Sequence, residues 1–388
     1  MADRENGMGF RQARTSDEVE GTRLPLPECC ALVLQGGGAL GSYQAGIYEA
    51  LAAADVPLDW VAGISIGAIN AAIIVGNPPE RRVERLRRFW DRLTSALPAL
   101  PLWPGDKMRE FANEASAAWV AATGVPGFFR PRLVPPLFAT PGTPGALSLY
   151  DTAPLRDSLL ELVDFDLLNT GPVRYSAGAV NVRTGNFIFF DNRERTITVD
   201  HVMASGALPP GLPPVEIDGE LYWDGGIVSN TPLQHVLDNQ YAPTLIFQVD
   251  LFPSTGRMPT TLLEAAEREK DIRFSSRTRL STDMLLKQRQ LKRALRRLID
   301  QLPPDLRSGE DVALLAEAAR ELPVSVVHLI HRVRQWESQS KDYEFSRRSM
   351  VEHWQAGMDD VRKTMQRSGI VAMNILDGRT AAFDLTRS

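Results

Sequence analysis

Residues 31–51 read ALVLQGGGALGSYQAGIYEAL. A short apolar run that includes β-branched Val33 meets three glycines, and then a segment whose apolar residues recur at helical spacing. That order is strand, glycine turn, helix. Gly36, Gly38 and Gly41 spell GxGxxG, the pattern that lets backbone approach a pyrophosphate at a helix N-terminus. Backbone N–H groups at a helix start hold other anions equally well, so the loop by itself leaves the identity of its anion open.

The next strand-to-helix junction decides between them. A dinucleotide-binding unit needs an acid at the end of its second strand for the ribose hydroxyls. Here Asp59 precedes that strand, and the strand runs instead into Gly63-Ile64-Ser65-Ile66-Gly67. This GxSxG reads as a nucleophile elbow, in which small residues flank a serine on a turn too tight for larger side chains. A serine that attacks an acyl carbonyl generates an oxyanion, and losing one donor to it costs about 2.7–4 kcal/mol of barrier. The anion expected at the glycine loop is therefore an oxyanion.

A serine needs a base. The five histidines are His201, His235, His328, His331 and His353. His235 follows Asp224 and so satisfies the serine, acid, histidine order of α/β-hydrolases, yet it sits in a segment that reads as a helix begun by Pro232. His201 opens a helical segment through Ala207, where capping or core packing is expected. The better candidate is Tyr222-Trp223-Asp224-Gly225-Gly226, a carboxylate at a strand end before two glycines. Desolvation can raise such a carboxyl toward the working pH and make it a general base.

The chain has 388 residues, 43 Lys and Arg against 48 Asp and Glu, and a net charge of −5, which gives no support to a nucleic-acid partner. Residues 1–28 are polar without an apolar core and are expected to be a disordered leader; no uninterrupted run has bilayer-spanning length. Cys29 and Cys30 are adjacent and cannot staple distant segments, so they are expected as buried small residues in a reducing compartment. A cytoplasmic location is the resulting expectation. From Ala31 to about Asp250 short apolar strands, with later ones at Val173–Val182, Asn186–Phe190 and Thr244–Asp250, alternate with helices, which argues an α/β fold with a parallel sheet. A proline-rich apolar stretch between Leu97 and Pro144 interrupts the alternation and is expected to form a wall or lid beside the active cleft. Beyond residue 258 helical periodicity dominates. Residues 273–297 carry nine Lys or Arg and one acid, Asp283. Helix 284–302 then offers either a basic, membrane-facing surface on the inner leaflet or a solvated face over a stripe of leucines. Val324–Val327 reads as a strand and Glu344 to Gln366 as a terminal helix. The scattered histidines and the side-by-side cysteines suggest no metal cluster, and no cofactor is called for.

Glycine loop, GxSxG and DGG, in this order, resemble the patatin-like phospholipase family. So do Ala204–Pro209 before the aspartate and Ser229–Pro232 after it. The resemblance covers residues 31 to about 250 and implies a three-layer α/β fold with a mostly parallel central sheet, at 29–258, followed by a largely helical extension at 259–388. Tyr343–Arg348 and Ser275–Arg279 look like a bacterial subgroup whose extension has no known role. Carried over position by position, the resemblance implies Ser65 as nucleophile and Asp224 as proton acceptor in a Ser–Asp dyad. Gly36, Gly37, Gly38, Ala39 and Gly41 would surround the oxyanion, Gly63 and Gly67 would shape the elbow, and Gly225 and Gly226 the aspartate loop. Many members carry Arg or Lys where this chain has Leu40, so the headgroup is not implied. The expected activity is hydrolysis of fatty-acyl esters of lipids. A transacylase using the same dyad, a lipid-binding scaffold without turnover and a dinucleotide-binding oxidoreductase are its rivals. Nothing in the sequence fixes the oligomeric state.

Overall fold

The computed structural model describes residues 24–95, 105–275, 287, 291–307, 309–319, 321–332, 337 and 340–386. Its centre is a nine-stranded sheet. The strands are β1 (Cys29–Leu34), β2 (Trp60–Ile64), β3 (Arg174–Asn181), β4 (Phe187–Asp191), β5 (Val215–Ile217), β6 (Glu220–Asp224), β7 (Thr244–Asp250), β8 (Val324–Ile330) and β9 (Ala381–Phe383). They lie in the order β9-β8-β7-β1-β2-β3-β6-β5, with β4 also paired to β3. Parallel pairing runs from β9 through to β3, and the hairpin of β5 and β6 closes the other edge antiparallel. Every residue of β1, β2 and β7 is buried, the signature of parallel strands covered on both faces.

The glycine loop leaves the carboxyl end of β1 and enters helix α1 (Gly41–Ala53), and Ser65 leaves the carboxyl end of β2 and enters helix α2 (Ile66–Val75). Adjacent parallel strands thus bring loop and serine to the same edge of the sheet, where ligands of open α/β sheets bind. Cys29 and Cys30 are free and buried, as small core residues.

The C-terminal part does more than add helices. β8 continues the sheet beside β7, in register from Val324 opposite Thr244 to Ile330 opposite Asp250, and β9 pairs beyond it. Helix Arg347–Gln366, capped by Ser346 accepting from the Ser349 N–H, packs on α1. Two glycines make that approach close: a Cβ on Gly46 would lie 1.9 Å from the Trp354 carbonyl oxygen, and one on Gly357 would lie 2.2 Å from that of Tyr43. Tyr43 donates to Asp360 and Trp354 to Glu49 across the same seam. Of the expected basic helix 284–302, residues 284–286 and 288–290 lie outside the described residues, and residues 291–300 are helical. Their leucine stripe is not wholly buried, because Leu291 and Leu298 are exposed.

In an isolated helix alanine in place of glycine is favourable by about 1 kcal/mol. Gly46→Ala is expected to do the opposite, lowering stability by about 3 kcal/mol or more in urea unfolding, because its methyl group meets backbone that cannot rotate away. Gly369→Ala, at a helical glycine where an added Cβ has nothing within 4 Å, is expected to cost nothing.

Candidate active site

Ser65 is half-buried with φ 55° and ψ −124°, a positive-φ conformation uncommon outside glycine. The chain turns here from β2 straight into α2. The turn is crowded: a Cβ on Gly63 would stand 2.3 Å from the Gly67 carbonyl, and one on Gly67 would stand 2.4 Å from the Leu34 carbonyl oxygen. Two glycines are therefore steric requirements of the bend. The Ser65 N–H donates to Ser205 Oγ at 3.1 Å, and Ser205, fully buried, donates in turn to the Gly178 carbonyl at 2.7 Å.

Asp224 ends β6 and is 1% exposed. Its N–H donates to the Ala207 carbonyl at 3.0 Å, so helix end Ser205 and its neighbour Ala207 hold serine and aspartate through one short segment. Asp224 Oδ1 accepts from the Gly226 N–H at 2.7 Å. Oδ2 is buried without a partner at normal hydrogen-bond length. Burial pushes this carboxyl up to about 7, against the pull of the Ser65 hydroxyl and the Gly226 N–H. Gly225 is needed for packing, since a Cβ there would meet the Gly178 carbonyl oxygen at 2.6 Å.

The glycine loop lies against both. A Cβ on Gly36 would approach Ser65 Cβ to 3.1 Å and Asn230 Oδ1 to 2.4 Å. Asn230 fastens the loop: its amide donates to the Gly36 carbonyl at 3.1 Å, and its own carbonyl accepts from the Gly36 N–H at 3.2 Å. The Ala39 N–H donates to the Asp342 carbonyl at 2.9 Å, the Leu40 N–H to Gly37 and the Gly41 N–H to Gly38. Among the described residues, the N–H groups of Gly37 and Gly38 have no protein acceptor. Leu40, where the resemblance would place a cation, is fully buried in the main apolar core.

The stretch between Leu97 and Pro144 is described from residue 105 and divides in character. Phe128 and Phe129 are buried, whereas Leu133, Leu137 and Phe138 are almost fully exposed. The chain just beyond it is tied to the site, because the N–H groups of Leu149 and Tyr150 donate to the carbonyls of Pro210 and Gly211, just past Ala207.

His235 lies in helix Leu233–Asp238, stacked on Phe189 with its Nε2 3.5 Å from Asp191. His201 caps its helix, its Nδ1 3.0 Å from the Thr198 N. His331 and His353, far apart in sequence, come together around Glu337, a grouping that no spacing in the sequence signals. Ser205 and Asn230 lie in segments that carry the resemblance, but what they do, like the contact made by Asp342, rests on partners distant in sequence.

The serine turn, the glycine loop and the buried aspartate thus stand together at one edge of a largely parallel α/β sheet. Residues 32–237 match the family model described as patatin-like phospholipase, and residues 272–374 match one described as patatin phospholipase. The chain belongs to the patatin-like phospholipase family. Lysophospholipase nte1 of Aspergillus terreus is 26% identical over 223 residues, 57% of this chain and 12% of that protein. Human patatin-like phospholipase domain-containing protein 6 is 38% identical over 94 residues, 24% of this chain and 7% of that one. The aligned regions are thus a small part of these relatives' length. VipD from Legionella pneumophila superposes with a TM-score of 0.33 at 15% identity, over 88% of this chain and 72% of that one.

Because the folded-state value of Asp224 lies above that of the unfolded chain, the fold favours the protonated acid. That stabilisation is complete below about pH 4 and is lost as pH rises through about 7. Asp224→Asn, which keeps an acceptor for the Gly226 N–H, is expected to raise the thermal midpoint at pH 8 by the equivalent of about 2 kcal/mol. The gain should shrink as pH is lowered toward 4; scanning calorimetry at both ends checks it.

Proposed function

We propose that the protein is a lipid acyl hydrolase in which Ser65 is the nucleophile and Asp224 its general base. The observation that carries this reading is the carboxyl of Asp224, buried, held by the Gly226 N–H and raised to about 7 beside the Ser65 hydroxyl. At that value the carboxylate is present at neutral pH and basic enough to take a hydroxyl proton in the transition state. Ser65 Oγ attacks the ester carbonyl carbon while its proton passes to Asp224. The oxygen that becomes negative is held by the N–H groups of Gly37 and Gly38, which have no protein acceptor of their own among the described residues. When the tetrahedral adduct collapses, the proton on Asp224 goes to the departing alcohol and leaves an acyl-Ser65 ester. Water then attacks that ester, Asp224 takes its proton, and the second collapse returns a proton to Ser65 and releases the fatty acid.

Two features favour a lipid over a small soluble ester. Leu133, Leu137 and Phe138 expose apolar surface on the stretch that precedes Leu149 and Tyr150, the residues bonded to Pro210 and Gly211. Leu291 and Leu298 are exposed on the basic helix, although Arg293 there is paired with Glu321. Among the described residues no helix is long and apolar enough to cross a membrane, so contact with lipid through these surfaces would be peripheral.

A fluorophosphonate probe is expected to label Ser65 in the parent protein, with labelling lost in Ser65→Ala and reduced at least about 100-fold in Asp224→Asn. Absence of labelling in a folded parent protein would sink the dyad. On long-chain esters kcat/KM should climb about tenfold per pH unit up to a midpoint near 7 and then level off, following ionisation of Asp224. Equal kcat/KM for short and long acyl chains would remove the lipid assignment while leaving the dyad standing.

A further inference from the structure

Outside the catalytic site, the described residues hold one buried convergence of ligand-type side chains. His331 follows β8, Glu337 lies on the segment after it, and His353 projects from helix Arg347–Gln366. Glu337 Oε2 lies 3.1 Å from His331 Nε2, and Oε1 lies 3.1 Å from His353 Nε2. All three donor positions fall within 4.8 Å of one another, and each side chain is at most 6% exposed. Donors about 2.1 Å from a common ion in a tetrahedral shell stand about 3.4 Å apart, so small shifts would seat a cation among them. Glu337 and His353 also line a cavity of about 10 Å³, the size of a single water-sized sphere. Glu344 lines the same cavity; its Oε1 accepts from Ser116 and from the Ser346 N–H, whereas its buried Oε2 has no partner. Lys341, the positive group on the cavity wall, is already engaged by Asp271 at 2.6 Å and Glu267 at 3.2 Å.

We propose that His331, Glu337 and His353 bind a divalent transition-metal ion of the zinc class, with Glu344 Oε2 facing it as a further oxygen donor. Two imidazoles and carboxylate oxygen are the donor set such ions take in proteins. The consequence is structural. Between Glu337 and Glu344 lies Asp342, whose carbonyl accepts from the Ala39 N–H, and a Cβ on Gly38 would reach that same oxygen at 2.3 Å. The His331 ring packs edge-on against Tyr43 of α1, at 5.2 Å between ring centres. A bound ion therefore staples the end of β8, Glu337, residues 340–344 and helix Arg347–Gln366 around the start of α1, and steadies the glycine loop from behind.

The test uses the full chain, stripped with chelator, dialysed, and titrated with Co²⁺ and then Zn²⁺. The expected result is one equivalent of Co²⁺ with the visible absorption of a low-coordinate site, displaced by one equivalent of Zn²⁺, and a thermal midpoint that rises on Zn²⁺ addition. Glu337→Gln and His353→Ala should each weaken binding at least about 100-fold. If a folded parent protein binds neither ion and its midpoint does not move, the cluster is a hydrogen-bonded carboxylate between two imidazoles and the proposal fails. Undiminished binding in both variants would place the ion elsewhere and equally overturn it. Should the variants not fold, X-ray absorption of the Zn²⁺-loaded parent protein decides: a shell of two imidazoles and carboxylate oxygen supports the site, and any other shell overturns it.

Discussion

The N–H groups of Ser65 and Asp224 come from strands on either side of β3, yet they end on neighbouring acceptors, Ser205 Oγ and the Ala207 carbonyl. The site depends on this shared anchor. Ser65 is held in a positive-φ turn by sterics on both sides, and its hydroxyl can face only what the fold delivers to it. Asp224 is carried in on a strand that pairs antiparallel with β3, whereas Ser65 follows a strand that pairs parallel with it. Segment 205–207 fixes the distance between the two, and the carbonyl of Gly178, between them on β3, accepts from the Ser205 hydroxyl.

Burial of Asp224 raises its basicity at the expense of stability. A carboxyl kept from water is a stronger base than one in solvent, and it is also a group the fold would rather hold protonated. Its Oδ2 is buried without a fixed donor, which leaves that oxygen open to take up a proton. Another buried carboxylate in the same sheet is fully satisfied. Asp191, equally buried, accepts from Arg174, Ser176 and the Arg193 N–H, and its carboxyl is held below the usual range despite its desolvation.

Much of the architecture was legible because the cues are local. Continuous apolar runs marked β1, β2 and β7, and the glycine spacings marked the turns after β1 and β2. The helices of the C-terminal part were visible from periodicity, and its strand from Val324–Val327, which extends in the fold to Ile330. What could not be read was the partner of that strand. β8 pairs along the whole of β7, so a segment that looks like an appendage in sequence widens the central sheet, and residues 340–344 return to touch the glycine loop. The contact of Ala39 with Asp342 joins residues some 300 positions apart, and neither it nor the strand pairing leaves a periodic trace.

The sequence by itself determined the α/β class, the serine on its elbow, the aspartate before two glycines and the family, because each rests on small residues at fixed spacing that a tight turn or close approach requires. Tertiary structure alone decided the rest. It set the burial that raises Asp224, committed the N–H groups of Gly36 and Ala39 to Asn230 and Asp342, and gathered His331, Glu337 and His353 into one cluster. These are properties of desolvation and of meeting partners, and neither exists until distant segments pack.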